Sequence, residues 1–298
     1  MTLYKKLAPF YYLTFFYLLV SFVLRLVLFF HPITETSFSF ADTIKIFGLG
    51  LVSDVFVSVI ASVFLWLYLI FISNSKYLKP SGYIIFGVFV ALFLYIASGK
   101  SIVNEYGGAL PKIVLIFIGI KTALFGLLLF LPNYRDKIRF WLFAFVIFLY
   151  VLLILQNVIS EYFFWNEFGV KYNFIAVNYL VYTNEVIGNI MQSYPVVPLF
   201  SALFIIAGTV TYFIVKRTRI YIDSIPTFAE KIKISALYIT LFAFSLFVIP
   251  RLAVSENSEN TFSNELQSNG LYKFYLAYIN SSLDYFKFYK TIPSVQAY

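Results

Sequence analysis

EYFFWNEFGVKYNFIAVNYLVYTNEVIGN, Glu161–Asn189, decides how this chain is read. It is the longest polar-bearing segment between two strongly apolar runs. It carries Glu161, Glu167, Lys171 and Glu185 among asparagines and aromatic residues. Nothing in it resembles a membrane crossing, yet the sequence on either side does. The expectation is that the upstream chain is a helical scaffold in lipid. This segment is then the surface the scaffold presents to the outside.

Composition supports that reading. Of 298 residues, 61% are apolar and 12% charged, including 37 Phe and 25 Tyr. The mean hydropathy is +0.85. Soluble domains carry about a quarter of their residues charged, so an integral membrane protein is indicated. With no Cys and one His, disulfide frameworks and thiolate or histidine-rich metal sites are excluded. The net charge of +8 reads as topology signal rather than nucleic-acid affinity, because the cations cluster in particular loops.

Seven apolar runs read as spans, at residues 9–30, 48–72, 83–97, 112–131, 140–159, 199–215 and 234–249; the first is long enough to cross about 30 Å of hydrocarbon, and the third is the weakest. The first ends in LFFHP rather than at small residues, which favours an uncleaved span over a signal peptide. Pro250 is expected to stop the seventh. With the N-terminus inside, Lys5, Lys6, Lys76, Lys79, Arg135, Lys137, Arg139, Lys216, Arg217, Arg219, Lys231 and Lys233 all fall inside. That alternation obeys the positive-inside rule in every loop. It implies an all-α bacterial cytoplasmic-membrane protein with its C-terminus outside, and with interfacial amphipathic helices on the outer face. Residues 1–250 form the membrane domain, with 161–197 as an outer interfacial segment. Residues 251–298 form an amphipathic linker against the outer surface, with Leu266, Leu271, Phe274, Tyr275 and Tyr278 at roughly helical spacing.

A few residues could carry function. From Asn173 on, Asn178, Tyr182, Glu185, Asn189 and Gln192 are spaced by four, three, four and three and share one helical stripe. The stripe fits either a water-facing helix side or the wall of a groove for lipid headgroups. Arg25 and Asp54 come to similar depth on neighbouring spans. They form a structural ion pair, or a fork that holds and orients a lipid phosphate. Lys121 falls mid-span, and the cost of a charge in lipid predicts that it faces the bundle interior or a water-filled cavity. His31 reads as a surface residue. No phosphate-binding loop, nucleophile elbow or paired-carboxylate geometry is present.

EYFFWNEFGVKYNFIAVNYLVYTNEVIGNIMQSYP, with GLGLVSD ending at Asp54 and ENTFSNELQSNGLYKFYLAYINSSLDYFKFY in the tail, resembles the membrane region of the lipoteichoic acid synthase-like family. These are phosphoglycerol transferases of the sulfatase superfamily, and the likeness is to the Bacteroidetes branch. Lys171 stands where that family usually has Arg, and Asn178 where it usually has Asp. The resemblance implies a membrane domain that anchors a catalytic domain and presents phospholipid at the outer leaflet. Arg25, Asp54, Glu161, Glu167, Lys171, Asn178, Tyr182 and Glu185 are the candidates for lining a headgroup groove. The family's Thr nucleophile and divalent metal lie in a later domain. The sequence ends at Tyr298, where that domain would begin, so none of its catalytic residues carries over and no cofactor is expected in this chain. The expected partners are phospholipid headgroups, the bilayer and a separately encoded sulfatase-like domain. The alternative is a stand-alone lipid-binding or scaffold protein working with a separate enzyme. A transporter fits less well, since the polar residues concentrate outside the spans.

Overall fold

A computed structural model describes residues 6–106, 108–182, 187–188, 190–192, 194–223 and 225–280. Among them there is no strand, and seven helices are long and apolar enough to cross a membrane. They are α1 (Ala8–Phe29), α2 (Phe40–Phe71), α3 (Ser81–Ala97), α4 (Leu110–Phe130), α5 (Arg135–Phe168), α7 (Val196–Thr218) and α8 (Phe228–Val254). Among the shorter helices, α6 (Phe174–Val181), α9 (Thr261–Gln267) and α10 (Gly270–Ile279) bear on the site.

Several helices outrun their apolar runs. α5 has 34 residues, about 50 Å at 1.5 Å per residue, against about 30 Å of hydrocarbon. Glu161–Phe168 is therefore not a loop, as expected from its polarity, but the last two turns of a span. Gly169 ends it in the left-handed conformation at φ 65°, donating its N–H 2.8 Å to Trp165 O. α2 starts at Phe40, inside the expected loop, on a capping box in which Ser39 and Asp42 bond each other's backbone. Pro250 does not stop α8, which runs on to Val254. The neighbouring Arg251 donates 2.7 Å to Phe247 O beside the break in the ladder.

The core forms where α1, α2, α5 and α7 meet. Leu13, Leu65, Leu69, Phe143, Ile147, Val151 and Ala207 are all buried there. Within it α2 bends at Ser62 (φ −80°, ψ 5°). The Tyr150 hydroxyl explains the bend. It accepts the Leu65 N–H at 2.7 Å and donates toward Ala61 O at 3.4 Å, so it stands inside the helical ladder. Ser58 and Ser62 also donate back to carbonyls three residues earlier, at 2.7 and 2.8 Å.

Contacts sort the loops into two ends. At the basic end, Lys6 pairs with Glu230 at 2.6 Å. The C-terminus of α2 leaves carbonyls without helical donors, and three cations supply them. Lys76 donates 2.8 Å to Phe71 O, Lys231 donates 2.7 Å to Ile70 O, and Arg139 donates 2.8 Å to Ser73 O. At the opposite, distal end the tail docks. Asp42 accepts from Ser258 at 2.7 Å and from Ser263 at 3.1 Å, and Leu266 is buried with Leu28, Ile46 and Trp165. The tail does form two short helices at the expected spacing. α9 and the turn after it insert between the spans, since Ser263 and residues 266–270 are buried, whereas α10 beyond Gly270 is only partly covered, with Tyr275 and Tyr278 exposed.

α3 and α4 pair as a hairpin at the side of the bundle, held to it through Tyr77, Phe125, Leu128 and Leu129 with Ile138 and Leu142 of α5. Lys121 is exposed rather than interior. The hairpin is peripheral, so the bundle has no interior at that position for α4 to face.

Removing the Tyr150 hydroxyl tests the bend. Tyr150→Phe leaves the Leu65 N–H unpaired in an apolar setting and should cost about 1–3 kcal/mol. Thermal unfolding in detergent measures it; an unchanged melting temperature would mean the hydroxyl does not sustain the bend.

Candidate functional site

The distal end holds two buried ion pairs that the sequence brings from far apart. Arg25 Nη2 lies 2.9 Å from Asp54 Oδ2, with both side chains 1% exposed. Gly50 makes room for the guanidinium, because a Cβ there would lie 2.7 Å from Arg25 Cζ. Lys171 Nζ lies 2.9 Å from Glu161 Oε1, again with both side chains buried.

The tail supplies further partners to both pairs, although Arg25 Nη1 and Asp54 Oδ2 are left without a hydrogen-bond partner among the described residues. Arg25 Nε donates 2.9 Å to Leu266 O, and Lys171 Nζ donates 2.8 Å to Ser268 O. Between these carbonyls and α10, Asn269 sends its carboxamide inward, donating 2.7 Å to Asp54 Oδ1 and 2.7 Å to the Tyr17 hydroxyl. Gly270 is required by the fit, since a Cβ would fall 2.1 Å from Glu161 Oε2. Beside it, Glu265 accepts the Lys171 N–H at 2.9 Å and pairs with Lys273 at 2.6 Å. Glu256 lies 3.9 Å from the same lysine. Burial, and the Glu265 charge, hold its carboxyl up at about 7 against the pull of Lys273.

Next to this junction is a cleft of 740 Å³. Its walls come from α1, the bend of α2, the upper half of α5, α6, the start of α7, and α10. It runs from Phe10 and Leu13 toward the distal end at Glu167. Its lining is mainly apolar, with Gln156, Asn157 and Ser160 as a polar strip on α5 and Tyr172, Tyr179 and Tyr194 nearer the mouth. Tyr194 donates 3.3 Å to Glu167. Tyr172 donates 3.1 Å to Asn157 O, and burial with the nearby Glu161 charge raises its pKa, so it stays protonated.

The candidate residues therefore separate. Arg25, Asp54, Glu161 and Lys171 form the sealed junction and do not line the cleft. The pairing of Arg25 with Asp54 follows the depth argument. Lys171 pairs with Glu161 and not with Asn178, which is exposed on α6. Glu167 stands at the cleft mouth. Asn173 caps α6 by accepting from Ile175 N at 2.9 Å, so the helix starts where the stripe predicted. It ends at the exposed Tyr182, and Glu185 and Asn189 lie outside the described residues.

Sequence reasoning missed the cleft's polar strip. The signal was there: Gln156, Asn157 and Ser160 interrupt the end of an apolar run. It also missed Tyr17 and Asn269, for which no local signal exists.

Among the described residues, no group of three His, Asp or Glu side chains could hold a metal ion. The arrangement is suited to binding an amphiphile. No family model, curated protein or solved structure matches the chain.

Two outcomes follow from the junction. Arg25→Met or Asp54→Leu alone strands a buried charge and should cost about 3–5 kcal/mol, whereas the double variant should recover much of that loss. Additive losses in denaturant or thermal unfolding would show that the two do not act as a pair. The second outcome concerns pH. Glu256 binds its proton more tightly folded than unfolded, so its contribution is full below its ordinary 4.5 and is lost as pH rises through about 7. Glu256→Gln should raise the melting temperature at pH 8, leave it nearly unchanged at pH 4.5, and flatten the profile between. An unaltered profile would remove Glu256 from the tail's docking energetics.

Proposed function

We propose that this chain is a lipid-presenting membrane domain of a lipoteichoic acid synthase-like phosphotransferase of the phosphoglycerol or phosphoethanolamine type. The observation that carries the reading is the 740 Å³ cleft, within the roughly 300–1,000 Å³ of small-molecule sites. Its long apolar wall suits an acyl chain. Its tyrosines and Glu167 near the distal end suit the glycerol and headgroup level, where amphipathic rings are favoured.

On this reading the basic end faces the cytoplasm and the mouth opens at the outer leaflet of a bacterial cytoplasmic membrane, an orientation that the positive-inside rule supports. The docked tail supports an anchoring role. Residues 255–280 are tied to the rest of the chain by the Leu266 and Ser268 carbonyls and the Asn269 carboxamide, so a sulfatase-like domain joined to it or recruited beside it would be held close to the cleft. Leu271 and Phe274 of α10 are part of the cleft wall, which makes the tail a wall of the site as well as a tether. The chain's part is to bind and orient the lipid; the phosphoryl chemistry belongs to the partner domain.

Blocking the cleft tests this. The protein is reconstituted in nanodiscs containing a photoactivatable phosphatidylglycerol or phosphatidylethanolamine, and labelled residues are mapped. Labelling should concentrate at Ile154, Ser160 and Phe163, and Ser160→Trp should lower it about tenfold while the melting temperature holds. Labelling spread evenly over the lipid-facing helices, or unaffected by the tryptophan, overturns the reading.

A further inference from the structure

The 740 Å³ cleft has a charge pattern that anchoring an acyl chain does not use. Among the described residues that line it, Glu167 is the only charged one. The sequence explains why no cation stands opposite. Between Arg139 and Lys216 the only basic residue is Lys171, and this stretch supplies the cleft walls from α5, α6 and the start of α7. Lys171 is engaged inside the junction with Glu161 and Ser268 O. Lys273, on α10 beside the wall residues Leu271 and Phe274, is paired with Glu265. The Arg25 guanidinium is sealed against Asp54. A headgroup with a net negative charge would therefore meet a carboxylate at the mouth and no cation.

Glu167 is placed to attract as well as to repel. It is exposed near the end of α5, and among the described residues no Lys or Arg pairs with it. It stands four residues after Phe163, so the two share one helical stripe. Tyr194 joins them. Its hydroxyl donates 3.3 Å to Glu167 Oε1, and its ring centroid lies 4.4 Å from that of Phe163. All three line the cleft. A carboxylate beside two aromatic rings suits an ammonium group, which the carboxylate draws by charge and the rings by their electron-rich faces. The neutral donors lie deeper. Ser160 and Asn157 precede Glu167 by about 10 and 15 Å along α5, at 1.5 Å per residue. Their hydroxyl and carboxamide groups are at the level of the ester carbonyls of a lipid whose ammonium sits at Glu167.

Resting on the reading of the cleft as a lipid site, we propose that it selects a phospholipid whose headgroup ends in an ammonium, of the phosphatidylethanolamine type, over an anionic one such as phosphatidylglycerol. Glu167 is the residue that sets this choice. The zwitterionic lipid carries its own counter-charge, so its phosphate needs no cation from the protein while its ammonium pairs with Glu167. Phosphatidylglycerol ends in hydroxyls and would bring an unpaired phosphate up to a carboxylate.

The experiment keeps the intact chain in uncharged maltoside micelles. It is offered phosphatidylethanolamine, phosphatidylglycerol or diacylglycerol, each with the same photoactivatable acyl chain. Labelling at Ile154, Ser160 and Phe163 is the readout. Phosphatidylethanolamine should label these residues about tenfold more than phosphatidylglycerol, as expected for one charge-assisted contact. Glu167→Gln, which keeps an acceptor for Tyr194, should bring the two within about twofold, and Glu167→Lys should reverse their order, with the melting temperature unchanged in both. Equal labelling by the two phospholipids in the wild type, or a preference that Glu167→Gln leaves intact, overturns this inference while the cleft stands as a lipid site. So does diacylglycerol labelling as strong as that of phosphatidylethanolamine, which would mean that the mouth only rejects negative charge. If none of the three labels the cleft, the lipid reading fails and this inference with it.

Discussion

Everything at the distal end depends on keeping four charges out of water. Arg25, Asp54, Glu161 and Lys171 are each at most 4% exposed. Two charges brought together in a low-dielectric setting recover their desolvation cost only if their remaining donors and acceptors are also met. The spans provide the pairs but not the rest. Much of that comes from the tail, whose Leu266 and Ser268 carbonyls and Asn269 carboxamide fit between the helices, while Arg25 Nη1 and Asp54 Oδ2 go unmet among the described residues. The docked tail is therefore an integral part of the membrane domain. Its removal would leave a guanidinium and an ammonium each short of an acceptor.

The same arrangement shapes the cleft. Tyr17 receives the Asn269 amide on one side and lines the cleft on the other. Glu161 closes the junction while Ser160, the residue before it, faces the cleft. Because α5 turns about 100° per residue, adjacent residues divide the two tasks: one face binds the tail and the next borders the ligand space. The Tyr150 hydroxyl plays a similar double part lower down, since it bends α2 and forms the cleft wall at the bend. A ligand in the cleft would touch Leu271 and Phe274 directly, so occupancy and tail docking are physically linked.

The spans were legible because length and apolarity suffice to mark a crossing, and the alternation of basic loops gave their order. Their ends were not. Glu161, Trp165 and Glu167 look like loop residues when hydropathy is averaged, yet Trp165 is fully buried against Leu266 and Phe262. Polarity marks the end of a span only where the helix meets water. Here it meets another part of the chain a hundred residues away. Arg25 with Asp54 could be paired from sequence, because depth on two neighbouring spans is a one-dimensional quantity. Lys171 with Glu161 could not, because their meeting depends on the turn at Gly169 and on a tail whose position no local pattern encodes. Lys121 was expected to face the bundle interior or a water-filled cavity; it is exposed, because the α3–α4 hairpin has only one side against the bundle.

The basic residues add a last step. They are usually read as a signal that sets orientation and then stays in solvent. Here Lys76, Arg139 and Lys231, from three separate segments, converge on the carbonyls at the end of α2. An α-helix that stops near the membrane surface presents the negative end of its dipole and unpaired acceptors, and cations are the natural partners for both. These basic residues hold the loop ends together, so replacing them with neutral residues would loosen the bundle even where topology survived. Arg139 shows this most directly. It is 5% exposed, far too buried to act only as a surface charge. Its two carbonyl-side contacts, Ser73 O and the Asn74 side chain, fix where α2 ends relative to α5.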